Sequence, residues 1–160
     1  MNNKLTRRFQ VAEPKETQEY KIQIYPDEYE KYIDTSKESY IEEPLFFIVN
    51  LTRLKKGYFN AEASFEGKLF TYCSRCRDKA SVDLNQVFKR AYKYSEYEQE
   101  ETEDLIFYNT VYIDLFSFFL DEISLVIPSY NLCKVDCKGV CVTCGENLNK
   151  NSCIHSKNRV

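Results

Sequence analysis

Between Cys133 and His155 the chain places five of its seven cysteines and its one histidine within 23 positions: Cys133, Cys137, Cys141, Cys144, Cys153 and His155. A stretch so rich in soft donors and so poor in apolar side chains cannot fold around a core of its own, so it must fold around a cross-link. Cys141-Val-Thr-Cys144 is followed directly by Gly145. A two-residue gap lets one tight turn aim both sulfurs at a single ion, and the glycine tolerates the positive φ such a turn needs. This is the signature of a zinc knuckle. A tetrahedral Zn²⁺ site needs two further ligands, and six candidates compete for four places. The favoured set is Cys137, Cys141, Cys144 and Cys153, with Cys133 and His155 in reserve. A disulfide framework is disfavoured by the odd number of cysteines and by the absence of an apolar export-signal run at the start of the sequence, which points to the cytoplasm.

The remainder can build a conventional core. The whole chain of 160 residues is 43% hydrophobic and 15% aromatic, which suits one domain with a small appendage. The longest apolar run, Leu45 to Val49, is far short of the roughly 20 residues a membrane span requires, so no membrane partner is expected. From residue 1 to 44 the pattern is weak, with one brief alternation at Lys21 to Tyr25 before Pro26. Leu45 to Leu54 reads as a β-rich run, Lys55-Lys56-Gly57 as a turn, and Phe59, Ala61, Ala63 and Phe65 alternate with polar residues as a half-buried strand. The strand carries on to Cys73-Ser74-Arg75-Cys76. Apolar residues then recur at even positions from Ala80 through Tyr94, which predicts one long third strand in an antiparallel meander able to curl toward a barrel. Residues 95–104 form an acidic, solvated loop holding Glu96, Glu98, Glu100, Glu101, Glu103 and Asp104.

From Asp114 the period shifts to i, i+3, i+4, predicting a helix over 114–127 that Asp114 caps and Pro128 ends. Asp121 and Glu122 point about 100° apart on such a helix and read as surface residues, not as a catalytic pair. The expected fold is α+β: an antiparallel, barrel-like sheet with one packed helix in a β-rich domain of residues 1–128, then a cysteine-rich zinc-knuckle tail of residues 129–160.

Several motifs in this order resemble one family. They are Cys73-x-Arg75-Cys76, an acidic loop, Asp121-Glu122-Ile123-Ser124-Leu125-Val126-Ile127-Pro128, and Cys137-Lys138-Gly139-Val140-Cys141 with Cys144-Gly145 and Asn147-Leu148-Asn149. Over roughly residues 45–155 the chain resembles the YceD family of large ribosomal RNA subunit accumulation proteins. It departs from the family pattern at Val140 and Val142, where Leu and Pro are usual, and at Cys153-Ile154-His155, where C-x-C is usual. The second departure keeps His155 in play as a nitrogen ligand. The resemblance implies a non-enzymatic cytoplasmic factor supporting accumulation or processing of large-subunit (23S) ribosomal RNA, by binding that RNA, a ribosomal protein or an assembly intermediate. Family members that keep C-x-R-C without the tail motif imply that Cys73 and Cys76 do not need the tail's zinc. Three roles stay open for them: two reduced thiols at a strand turn, a redox pair, or half of a site completed by Cys133.

Charge distribution bears on the RNA reading. The net charge is −3, which by itself disfavours a polyanion partner. The segment from Lys68 to Lys93, however, carries Lys68, Arg75, Arg77, Lys79, Lys89, Arg90 and Lys93 against Asp78 and Asp83, a net +5. Phe70, Tyr72 and Tyr94 lie among them, and basic residues mixed with aromatics on a sheet face can stack single-stranded bases. The plainer reading makes the aromatics core and the charges solvated. The alternative partner mode is a zinc-stabilised module docking a ribosomal protein without touching RNA. An enzyme is disfavoured, because four protein ligands leave no open position on zinc and one histidine offers no acid–base pair. No small-molecule substrate is expected.

Overall fold

The computed structural model describes residues 7–33, 38–97, 99, 100, 102 and 105–155. Their order is β1 (Gln10–Ala12), β2 (Thr17–Ile24), α1 (Pro26–Tyr32), β3 (Leu45–Lys55), β4 (Tyr58–Glu66), β5 (Leu69–Tyr72), β6 (Lys79–Val82), β7 (Phe88–Tyr94), β8 (Leu105–Tyr108), β9 (Tyr112–Asp114) and α2 (Phe116–Val126). The class is α+β.

The hairpin of β3 and β4 is central because its alternation is the strongest in the chain. Leu45, Phe47, Val49 and Leu51 face one side with Phe59, Ala61, Ala63 and Phe65 opposite them, all buried. Around it forms a five-stranded sheet in the order β2-β3-β4-β7-β8, antiparallel except for the β7–β8 pair. Helix α2 lies across its inner face. Phe118 and Phe119 meet Phe47 with ring centroids 5.7 Å away in each case, and Phe119 reaches Phe9 at 5.1 Å. The helix begins at Phe116 with Leu115, not Asp114, at its N-cap; Asp114 lies one residue earlier, at the end of β9, and its carboxylate accepts a 2.8 Å hydrogen bond from the Phe116 N–H.

The weakly patterned first 44 residues contribute more than one short strand. All eight residues of β2 pair with β3. Pro26 then opens α1, where its missing N–H costs nothing, and the Glu28 carboxylate accepts from the Tyr25 N–H at 3.0 Å.

Three expectations are corrected. Among the described residues none of the sheets closes into a barrel, and β2 and β8 stand at the two edges of the five-stranded sheet. The long third strand is two strands in different sheets: β6 turns back on β5, whereas β7 joins β4. The break falls at Asp83, whose carboxylate accepts from the Asn85 N–H at 2.9 Å in a local turn that competes with ladder pairing. Third, Glu122 is buried, facing Arg90 across the sheet–helix interface, whereas Asp121 is exposed. In the acidic loop, Glu96 and Glu100 are exposed; Glu98, Glu101, Glu103 and Asp104 lie outside the described residues. Among the described residues no helix is long and apolar enough to cross a membrane.

Candidate metal centres

The turn joining β5 to β6 is Cys73-Ser74-Arg75-Cys76, and the local hydrogen bonds show why it takes its shape. The Cys73 N–H donates to the Asp78 carbonyl at 2.7 Å, and the Arg77 N–H donates to the Cys73 carbonyl at 2.9 Å. In the tail the Cys141 N–H donates to the Glu146 carbonyl at 2.8 Å, and the Gly145 N–H to the Cys141 carbonyl at 2.8 Å. The offsets are identical, so the chain holds two knuckles of one design. Each needs a left-handed residue just after its second cysteine. Gly145 supplies it at φ 74° without strain, whereas Arg77 supplies it at φ 63°.

Each knuckle is completed by a second pair of donors. Cys73 and Cys76 meet Cys133 and Cys137, and Cys141 and Cys144 meet Cys153 and His155; within each group the ligand atoms all lie within 4.8 Å of one another. Four sulfurs 2.3 Å from a tetrahedral ion would sit about 3.8 Å apart. The observed Sγ–Sγ distances of 3.7 Å for Cys73–Cys137 and 3.5 Å for Cys76–Cys133 match that spacing, and all seven cysteines are free thiols. Two cysteine-rich groups could therefore each hold a metal ion. The four-residue set favoured from sequence is divided: Cys137 joins the first group, Cys141, Cys144 and Cys153 join the second, and both reserves are drawn in, Cys133 to the first and His155 to the second. Of the three roles open to Cys73 and Cys76, the geometry matches the shared site, completed by Cys137 as well as Cys133.

The surroundings favour ionised sulfur at Cys73, Cys137 and Cys141 and oppose it at Cys76, Cys133 and Cys144. Backbone N–H groups of Cys144 and Thr143 aimed at the Cys141 sulfur pull that thiol down to about 6. Burial pushes Cys73 up, but the N–H groups of Cys133, Arg75 and Cys76 outweigh it and bring the thiol to about 6. Cys76 is pushed the other way, to about 12, by burial and by the neighbouring sulfurs. Opposite shifts within one cluster express a simple conflict: crowded thiolates repel, and only a cation among them lets all four ionise.

The tail motif residues that are not ligands clamp the two knuckles together. Asn149 donates to the Cys137 sulfur at 3.3 Å and accepts from the Lys138 N–H at 2.9 Å. Asn147 donates to Asp78 at 2.8 Å, and Lys150 reaches the same carboxylate at 2.8 Å. A Cβ on Gly139 would lie 3.2 Å from the Arg75 carbonyl oxygen, so glycine permits this close approach, and its φ of 73° also favours it. Arg75 returns the contact by donating to the Cys137 carbonyl at 3.1 Å and to the Tyr130 hydroxyl at 3.0 Å. Asn131 ties the same junction to Thr71 and Ser81, at 3.0 and 2.9 Å.

The model of the family described as "Large ribosomal RNA subunit accumulation protein YceD" matches residues 61–160, from within β4 through both cysteine groups. The chain belongs to the YceD family. That family is named for accumulation of large-subunit ribosomal RNA and is not a known enzyme family. The chain is also similar to a Mycobacterium leprae (strain TN) protein described as uncharacterized protein ML1660, with 33% identity over 81 residues covering 48% of this chain and 36% of that protein. The match thus spans little more than a third of that curated relative. No solved structure matches the chain significantly.

The basic residues singled out in the YceD-family core have unequal freedom. Arg77 pairs with Glu38, Lys79 with Glu42 and Lys89 with Glu62. Arg90 is buried against Asp121, Glu122 and the Phe118 ring, and Arg75 is engaged at the knuckle junction. Lys68 and Lys93 are exposed. Phe70 is buried beneath Lys79, while Tyr72 and Tyr94 are each 42% exposed.

Proposed function

We propose that each cysteine group holds one structural Zn²⁺ and that the chain is a non-enzymatic factor supporting accumulation or processing of large-subunit ribosomal RNA in the cytoplasm, in contact with that RNA or with an assembly intermediate. The observation that carries the zinc assignment is the donor chemistry: four thiolates in one group and three thiolates with an imidazole in the other, closely spaced, are donor sets of structural zinc sites. Complete four-donor sets leave no position for a substrate or an activated water, which supports a binding role over catalysis. The role in large-subunit RNA rests on the family match, which takes in both groups.

A second reading has its own support. Val135, Val142 and Ile154 flank the metal-binding residues and are 95%, 85% and 81% exposed, which favours docking of a ribosomal protein through the tail. One experiment separates the two. The metal-loaded chain is titrated against a labelled single-stranded fragment of large-subunit RNA across a salt series. Saturable binding that weakens steeply with salt supports direct RNA contact. No binding at low salt would refute it and leave the protein-docking reading.

A further inference from the structure

We infer that the cleft beside the β3–β4 turn is a nucleotide-binding subsite for single-stranded RNA, with Lys55, Lys56 and Lys93 holding phosphates and Tyr94 stacking a base. This deepens the RNA reading above and rests on it.

The cleft is about 600 Å³, room for one nucleotide. Lys55, Lys56, Tyr58, Lys93 and Tyr94 line it together with one carboxylate, Glu13. Cross-strand pairing builds this cluster. Lys55 lies opposite Tyr58 at the end of the hairpin, and Tyr58 lies opposite Lys93 on β7. All three lysines are exposed, and Lys55 and Lys93 rest against the rings of Tyr58 and Phe107 with Nζ 5.7 and 5.8 Å from the ring centroids. Glu13, which accepts from the Tyr108 hydroxyl at 2.6 Å, is the one carboxylate on the lining. Three lysines against it leave the cleft at +2 in a chain whose net charge is −3.

Tyr94 is held in place as a stacking platform must be. Its N–H donates to the Gly57 carbonyl at 2.7 Å, and its ring meets Tyr108 edge-on at 5.7 Å. A Cβ at Gly57 would fall 2.9 Å from the Tyr94 Cβ, so the turn and the tyrosine fit only with glycine there. The ring is fixed at its base yet 42% exposed. A rigid, half-exposed aromatic ringed by lysines that outnumber the one carboxylate beside them is the arrangement that binds single-stranded nucleic acid without reading base edges.

The test compares RNA affinity of the full chain, metal content verified, between wild type and the triple variant Lys55→Gln/Lys56→Gln/Lys93→Gln. Tyr94→Leu serves as a separate probe, and Lys21→Gln/Lys31→Gln, two exposed lysines of β2 and α1 outside the cleft, as a surface-charge control. Loss of three phosphate contacts should flatten the log–log salt slope by about 2. Loss of the stacking ring should weaken binding roughly 5- to 150-fold, while the control stays near wild type. Wild-type affinity and slope in the triple variant, with RNA still bound, would overturn the subsite alone; so would a control that falls as far as the triple. A wild-type chain that binds no RNA would overturn both the subsite and the RNA reading it rests on.

Discussion

Replacing Arg90 with methionine should unfold this protein more readily than any other single change to its seven basic candidates. Arg90 occupies an inward position of β7 with its side chain 6% exposed, 3.0 Å from Asp121 and 3.3 Å from Glu122. The two partners differ. Asp121 is 59% exposed, so its pair contributes below about 1 kcal/mol. Glu122 is 9% exposed, and without the guanidinium it becomes a buried carboxylate that has lost its facing cation. Breaking such a pair costs about 3–5 kcal/mol. Loss of the contact 4.6 Å over the Phe118 ring adds to it. At roughly 2–4 °C per kcal/mol for a chain this size, the melting temperature should fall by about 6–20 °C. The assay is thermal and urea unfolding of Arg90→Met, with the double variant Arg90→Met/Glu122→Leu beside it. The double variant should recover most of the loss, because two apolar side chains replace both charges. A single variant within about 0.5 kcal/mol of wild type would refute the reasoning, as would a double variant worse than the single.

Other outcomes follow from the same contacts. Asn149→Ala removes the amide that donates to the Cys137 sulfur and should weaken metal retention at the four-cysteine group about 10- to 100-fold in chelator competition, leaving the histidine-containing group unchanged. Asp114→Ala removes the acceptor of the Phe116 N–H and should cost about 1 kcal/mol in urea unfolding, the net worth of one hydrogen bond. Phe119→Ala, at the junction of the helix with Phe9, Phe47 and Phe65, should cost about 3–5 kcal/mol by the same measurement.

Much of this was legible before any coordinates. The period-two alternation of β3 and β4 and the helical period after Asp114 are strong local signals, and the structure keeps both. What failed was reading continuity through Asp83, because a five-residue turn costs the apolar even-position pattern nothing: Leu84 still packs against the core. Arg90 fell in the basic tally because spacing alone cannot tell an inward charge with a helix carboxylate opposite from a solvated one. The partition of ligands was available in a number. Seven cysteines and one histidine are eight donors, enough for two tetrahedral ions, and the structure places all eight. It was obscured because Arg77 stands where Gly145 stands in the other knuckle, and because 56 residues separate Cys76 from Cys133. Lys55 and Lys56 show only a turn in the sequence, since their shared cleft depends on β7 arriving alongside.

The central claim is that two separate metal centres, one shared between the β5–β6 turn and the tail and one within the tail, organise this protein. Native mass spectrometry of the reduced chain, with elemental analysis, tests it through Cys137→Ser, Cys144→Ser and the double variant. Two zinc ions in wild type, one in each single variant and none in the double is the expected result. One zinc in wild type, lost in both single variants, would contradict the account and return Cys137 and Cys144 to a single shared site.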